Sequence, residues 1–326
     1  MTKHEVIDLA SDTPLFEKDK WIGRGRTYPK NPVEVPWEVA SYCKALLVIP
    51  SEFAEEAFPD NNIGVEAFLA LKLPKVSFSV VHIQPDRCFR KLVPNQDAHC
   101  LLTRPIPSQG FVERLKGVFG QAILDGNISV EDPNFQGSRL PLWSIQFWGE
   151  MLEVINAQAE WRKSLTWIEA MKHADTKFLT TARHQLLSLR WNERVDIPGS
   201  PTGATTRVFT RLLSNEWIDD GLVNMMFSHL SDRAEQDAAL DGFVIIENLR
   251  FIHDIEKAAS ENDHNKPLTT FLKRLEDRIR NTRSDVLIFP VFLKAVNHWL
   301  AFKIDFADGA VSYGRSSLIM IVVNTH

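Results

Sequence analysis

The sequence predicts an α+β protein, and three observations carry that prediction. Up to about residue 197, apolar side chains recur in stripes at helical spacing, broken by proline- and glycine-marked turns. Near the end of the chain, Val286-Leu287-Ile288-Phe289-Pro290-Val291 reads as a buried strand. His298-Trp299 then opens a second strand, with Leu300, Phe302 and Ile304 alternating against Ala301 and Lys303. The chain has 326 residues, more than one ordinary hydrophobic core serves, so two domains are expected.

Bulk composition narrows the function class. The chain is 44% hydrophobic and 24% charged, with a net charge of −5, which gives no general attraction to nucleic acid or to an acidic membrane surface. No apolar run is long enough to span a bilayer, and Met1-Thr2-Lys3-His4-Glu5 lacks the layout of a secretory leader. Cys43, Cys88 and Cys100 are few, odd in number and confined to the first third of the chain, which fits thiols kept in a reducing compartment. The expectation is an intracellular protein with no nucleic-acid partner, no membrane partner and no cofactor.

Taken in order, residues 1–35 are polar, carry Pro14, Pro29 and Pro32, and read as a loosely ordered lead-in. Within them Trp21-Ile22-Gly23-Arg24-Gly25-Arg26 has no flanking strand and helix to make it a phosphate loop, and reads as a linker. Residues 36–197 read as a mostly helical domain with a small sheet. Trp37, Val39, Ala40, Cys43 and Leu46 form one stripe; Phe53, Ala57, Val65, Phe68 and Leu71 form another; Val76, Phe78 and Val80 alternate as a strand. His82, Cys88, His99 and Cys100 lack paired CxxC or CxxH spacing, so no metal site is expected. Asp125-Gly126-Asn127 and Asp132-Pro133-Asn134 are turns. Between Pro141 and Leu189 comes the longest helical region, with Trp148, Met151, Leu152, Ile155, Ala159, Leu165 and Ile168 on its stripe. Trp143, Trp161 and Trp167 lie beside it. With no basic face to accompany them, these tryptophans read as core and not as a base-stacking platform.

Ile197-Pro198-Gly199-Ser200-Pro201-Thr202-Gly203 interrupts every regular pattern and marks a domain boundary, with a second domain over residues 205–326. There Ser214 is placed to cap a helix whose first turn holds Glu216, Asp219 and Asp220, and whose stripe is Ile218, Leu222, Met225, Met226 and Leu230. Asp241-Gly242 precedes an apolar run, Phe243-Val244-Ile245-Ile246. A further helix starts near Pro267, with Leu268, Phe271, Leu272, Leu275 and Ile279 on its apolar face.

Five blocks of this second region, Trp217-Ile218-Asp219-Asp220, Asp285 to Val291, Asn297-His298-Trp299, Ile304-Asp305 and Val311-Ser312-Tyr313-Gly314, follow one another in an order and spacing that resemble the ubiquitin-like-protein-specific cysteine proteases, the SUMO protease family. The resemblance covers residues 205–326. It implies a papain-like sheet-and-helix domain that cuts peptide or isopeptide bonds after the diglycine end of SUMO or another ubiquitin-like modifier. On the same ground His298 takes the place of the catalytic general base, Trp217 and Trp299 wall the tunnel for the diglycine tail, and Asp220 pairs with an arginine of the modifier.

Two departures from the family pattern bear on activity. The family orients its histidine with an aspartate in a Y-x-D-S setting, and here the run is Tyr313-Gly314-Arg315-Ser316. An arginine cannot accept the imidazole N–H, and its charge disfavours the imidazolium. Asp305 and Asp308 are the nearby acids. Equal pairing sets His298 across from Arg315, whereas a tight turn at Asp308-Gly309 sets Phe302 across from Arg315. The family's cysteine also follows its histidine by several dozen residues, and this sequence has no cysteine after Cys100. The domain is therefore expected to be incomplete, marginally stable through exposed apolar strand edges, and inactive as a protease. The alternative expectation is a module that holds a ubiquitin-like modifier without cutting it.

Overall fold

The computed structural model describes residues 21–23, 37–78, 83–171, 175–195, 204–214, 218, 220–260, 270–282, 284–295 and 297–315. It is an α+β structure that divides into two compact units, residues 1–162 with 186–188, and residues 163–185 with 189–326. The division falls inside a long helix, and the proline-glycine break at residues 197–203, expected as a domain boundary, lies outside the described residues.

The first unit is built on helices α1 (Trp37–Ala45), α2 (Ser51–Ala57), α3 (Val65–Ala70), α4 (Gln109–Leu124) and α5 (Ser144–Ala170), the last running across the division. Strand β1 (Val76–Ser77) pairs in parallel with β3 (Ile106–Pro107), while β2 (Phe89–Arg90), β4 (Ser129–Glu131) and β5 (Arg139–Leu140) form a small antiparallel sheet. Its core holds Phe68, Phe111, Leu115, Phe147, Trp148 and Trp161, none more than 1% exposed. The tryptophans are thus packing residues, as their mixed-charge surroundings indicate.

Among the described residues several buried polar groups of this unit are paired, although the buried Ser144 Oγ has no hydrogen-bond partner. The buried Gln158 amide donates to the carbonyls of Phe68 (2.8 Å) and Leu71 (3.1 Å), closing the C-terminal end of α3. The Arg104 guanidinium donates to Asp132, Ser138 and Gln96 and lies 4.3 Å from the Phe135 ring, pinning the 132–138 loop. Some local expectations are corrected. The 76–80 strand reduces to Val76–Ser77 with Phe78 exposed, residues 79–82 lie outside the described set, and Ala40 and Ala159 face solvent. The lead-in is also tied down at one point, where the Gly23 amide donates to the Leu124 carbonyl at 2.8 Å.

The second unit contains α6 (Thr176–Ser188, apart from the three residues assigned to the first unit), a short ribbon β6 (Arg194–Val195) and β7 (Ala204–Thr205), α7 (Phe209–Leu212), and a layered body. In that body, helices α8 (Asp220–Gln236), α9 (Leu249–Ser260) and α10 (Thr270–Thr282) flank strands β8 (Val244–Ile246), β9 (Val286–Leu293), β10 (His298–Asp305) and β11 (Ala310–Arg315). The strand order is β11-β10-β9-β8, with β8 and β9 parallel and the other pairs antiparallel.

Alternation along the strands sends side chains to both faces of this sheet. Ile245, Leu287, Phe289, Phe302 and Ile304 pack on Phe251 of α9 and Leu272 and Leu275 of α10. Ile246, Ile288, Trp299 and Ala301 pack on Val223 and Phe227 of α8. Pro290, which has no N–H to give, lies just beyond Ile288, the last residue of β9 paired with β8, where that ladder ends.

Three differences from the sequence reading stand out. The helix Leu249–Ser260 is an additional element, with the Asn248 side chain accepting from the Arg250 amide at 2.9 Å at its start. Ser214 does not cap α8: it follows α7 and donates to the Arg211 carbonyl at 2.9 Å, while α8 begins at Asp220. The long helical region of 141–189 is two helices, α5 and α6.

Candidate functional site

His298 is the first residue of β10 and pairs with Leu293 of β9. The turn before it brings the chain back through Asn297, whose φ of 49° is left-handed. Asparagine enters that region at lower cost than most residues. His298 is half-buried, so the strand end presents an imidazole at the rim of the sheet.

Trp299, the next residue, faces the side of the sheet covered by α8. Its ring lies 4.9 Å from that of Phe292, its register partner on β9. Its indole Nε1–H donates to the carbonyl of Ile218 at 2.9 Å, across 81 residues of sequence. Ile218 itself packs against the same apolar cluster. The structure therefore brings the His298-Trp299 block to the segment that leads into α8. Asp220 opens that helix and is exposed. Trp217 lies outside the described residues.

The register corrects both pairings considered for Arg315. Its backbone pairs with Leu300, not with His298 and not with Phe302, and Asp305 pairs with Ala310 around a loop of residues 306–309. Asp305 closes β10 at the end opposite His298, about 23 Å away at the usual rise per strand residue. Its carboxylate accepts from Lys303 Nζ at 2.8 Å and from the Asp308 amide at 3.3 Å, and the Lys303 contact holds its carboxyl below the usual range. Asp305 is thus engaged elsewhere and cannot orient the His298 ring.

The thiols are all in the first unit. Burial pushes Cys43 and Cys100 up. Cys88 is pushed up to about 11, by burial first, with Glu131 and Asp86 adding to it against the pull of Arg90. A thiol held above its ordinary value stays protonated at neutral pH and is a poor nucleophile. Among the described residues no three His, Cys, Asp or Glu side chains gather as a metal site, and no helix is long and apolar enough to cross a membrane. His99 instead bridges two carboxylates, Asp97 at 2.8 Å and Glu56 at 3.3 Å.

No family model, no curated protein and no solved structure matches this chain.

Proposed function

We propose that residues 205–326 form a domain of the SUMO-protease type that binds a ubiquitin-like modifier, with His298 in the general-base position and Trp217, Asp220 and Trp299 in modifier contact. The supporting observation is the bond from Trp299 Nε1 to the Ile218 carbonyl. It joins two of the sequence blocks that carry the resemblance, the one that leads into α8 and the one that opens β10. Joined in this way, the strand end that carries His298 and Trp299 is held beside the segment that leads to the exposed Asp220, which suits recognition of an extended modifier tail.

The chemistry favours holding over cutting. None of the three thiols is activated, and Arg315 occupies the sequence position where the family carries the acid that orients its histidine. We assign residues 205–326 the modifier-recognising part of a protease homologue; the thiols within this sequence lie in the first unit, and none is activated to cut the bond.

Two measurements test the assignment. Titration of the chain with SUMO and with ubiquitin is expected to show binding to at least one, weakened about tenfold or more, ~1.4 kcal/mol, by Trp299→Ala or Asp220→Lys. Absence of binding to either modifier rejects it. A modifier carrying a diglycine electrophile is expected to label no cysteine; a labelled Cys43, Cys88 or Cys100 would replace the holding role with a hydrolytic one.

A further inference from the structure

On the α8 side of the four-stranded sheet there is a half-open groove of about 340 Å³. It has a simple cause in side-chain size. On this face β8 and β9 contribute Ile246 and Ile288, but β10 and β11 contribute Ala301 and Gly314. The small residues cannot fill the space beneath α8, whose Phe227 and Leu230 form the opposite wall. The result is a trough with an aliphatic and aromatic lining.

Its polar end is as specific as its apolar body. Lys303 and Ser312 are direct register partners on β10 and β11, and both line the groove. A lysine and a serine therefore enter the lining from neighbouring positions on the two strands. No carboxylate is among the described lining residues. Among the described residues the ammonium pairs with Asp305, two residues along the same strand, which takes one of its three protons at 2.8 Å. The remaining donors suit an anionic head.

We propose that this groove binds a medium-chain fatty acid, with the hydrocarbon between Phe227, Leu230 and Ala301 and the carboxylate at Lys303 and Ser312. An apolar trough of a few hundred Å³ with a small set of convergent donors is the usual form of a small-molecule site. Charge complementarity at one end selects an acid over a neutral chain of equal length. The proposal is independent of the modifier-binding role, because the titration needs no modifier.

The test uses the full chain and decanoate, with decanol as the neutral control, followed by the thermal unfolding midpoint and by displacement of a fluorescent fatty acid. Decanoate is expected to bind about tenfold more tightly than decanol, and Lys303→Gln to remove that difference while leaving decanol unchanged. Ala301→Leu and Leu230→Trp fill the trough from its two sides, and each is expected to abolish binding of both. Where one variant fails to fold, the other decides. Equal affinity for acid and alcohol, full binding to a folded filled variant, or no binding at all overturns the proposal. The last is the outcome expected if the groove is occupied by another part of the chain or by a second copy.

Discussion

Trp299 and Ile218, 81 residues apart, are joined by one hydrogen bond of 2.9 Å from the indole to a backbone carbonyl. The bond fastens the segment before α8 to the strand that carries His298. Replacing Trp299 by Phe keeps an aromatic ring against Phe292 and deletes the donor. The expected cost is about 1 kcal/mol, with faster amide exchange at Ile218 and in the first turn of α8. Hydrogen exchange read by mass spectrometry checks this; unchanged exchange there would mean that the contact does not hold the segment.

Asn297 sets the direction in which the His298 strand leaves its turn, at a φ of 49°. Glycine pays nothing for that conformation, so Asn297→Gly is expected to leave stability within about 0.5 kcal/mol. A β-branched residue is strained there, and Asn297→Val is expected to cost about 1 to 2 kcal/mol. Urea denaturation of the two variants side by side gives the comparison, and equal losses would argue against a strained turn.

His99 titrates between two acids. Its pKa is raised above the ordinary 6.5, first by its hydrogen bond to Asp97, then by the charges of Asp97 and Glu56. Asp97 in turn is lowered from 3.8, first by the His99 amide and then by the ring. The histidine contribution to stability is therefore complete below 6.5 and disappears as pH climbs through the raised value. The aspartate contribution is present above 3.8 and disappears as pH falls through the lowered one. An NMR titration is expected to give His99 a midpoint above that of an exposed histidine, and Asp97→Asn is expected to bring it down. A midpoint that does not move in the variant contradicts the bridge.

Thiol alkylation ranks the cysteines. Cys88, buried and pushed up to about 11, is expected to resist iodoacetamide at pH 7.5 in the folded chain, with Cys43 and Cys100 reacting more slowly than a free thiol but faster than Cys88. Peptide mapping over time reads the order. Rapid modification of Cys88 would show that its site opens or that its thiol is activated.

Part of this structure is legible in the sequence because its signal is periodic. The alternation through Leu300, Phe302 and Ile304 gives the β10 strand, and the tryptophan-rich stripe gives a helical core, since both patterns are read one residue at a time. The α9 helix is less visible: Leu249, Phe251, Ile252 and Ile255 share a short amphipathic stretch beside a strand of similar composition, and only Asn248 announces it. The register of β11 depends on where the turn falls and how many residues it takes, a choice that Phe306-Ala307-Asp308-Gly309 does not decide by composition. The bond from Trp299 to Ile218 and the trough above Ala301 and Gly314 are relations between distant segments, so no local pattern contains them.

The parallel pairing of Val244 with Val286 places two helices between one strand and its neighbour. During translation, β8 is made before β9 exists, and until then its Ile245 side chain has no sheet to enter. The nascent chain passes through an interval in which an apolar strand is synthesised but unpaired, and the length of that interval is set by how fast codons for the two helices are read. Slow decoding across this stretch prolongs the exposure, and a chaperone at the exit site shortens its consequences.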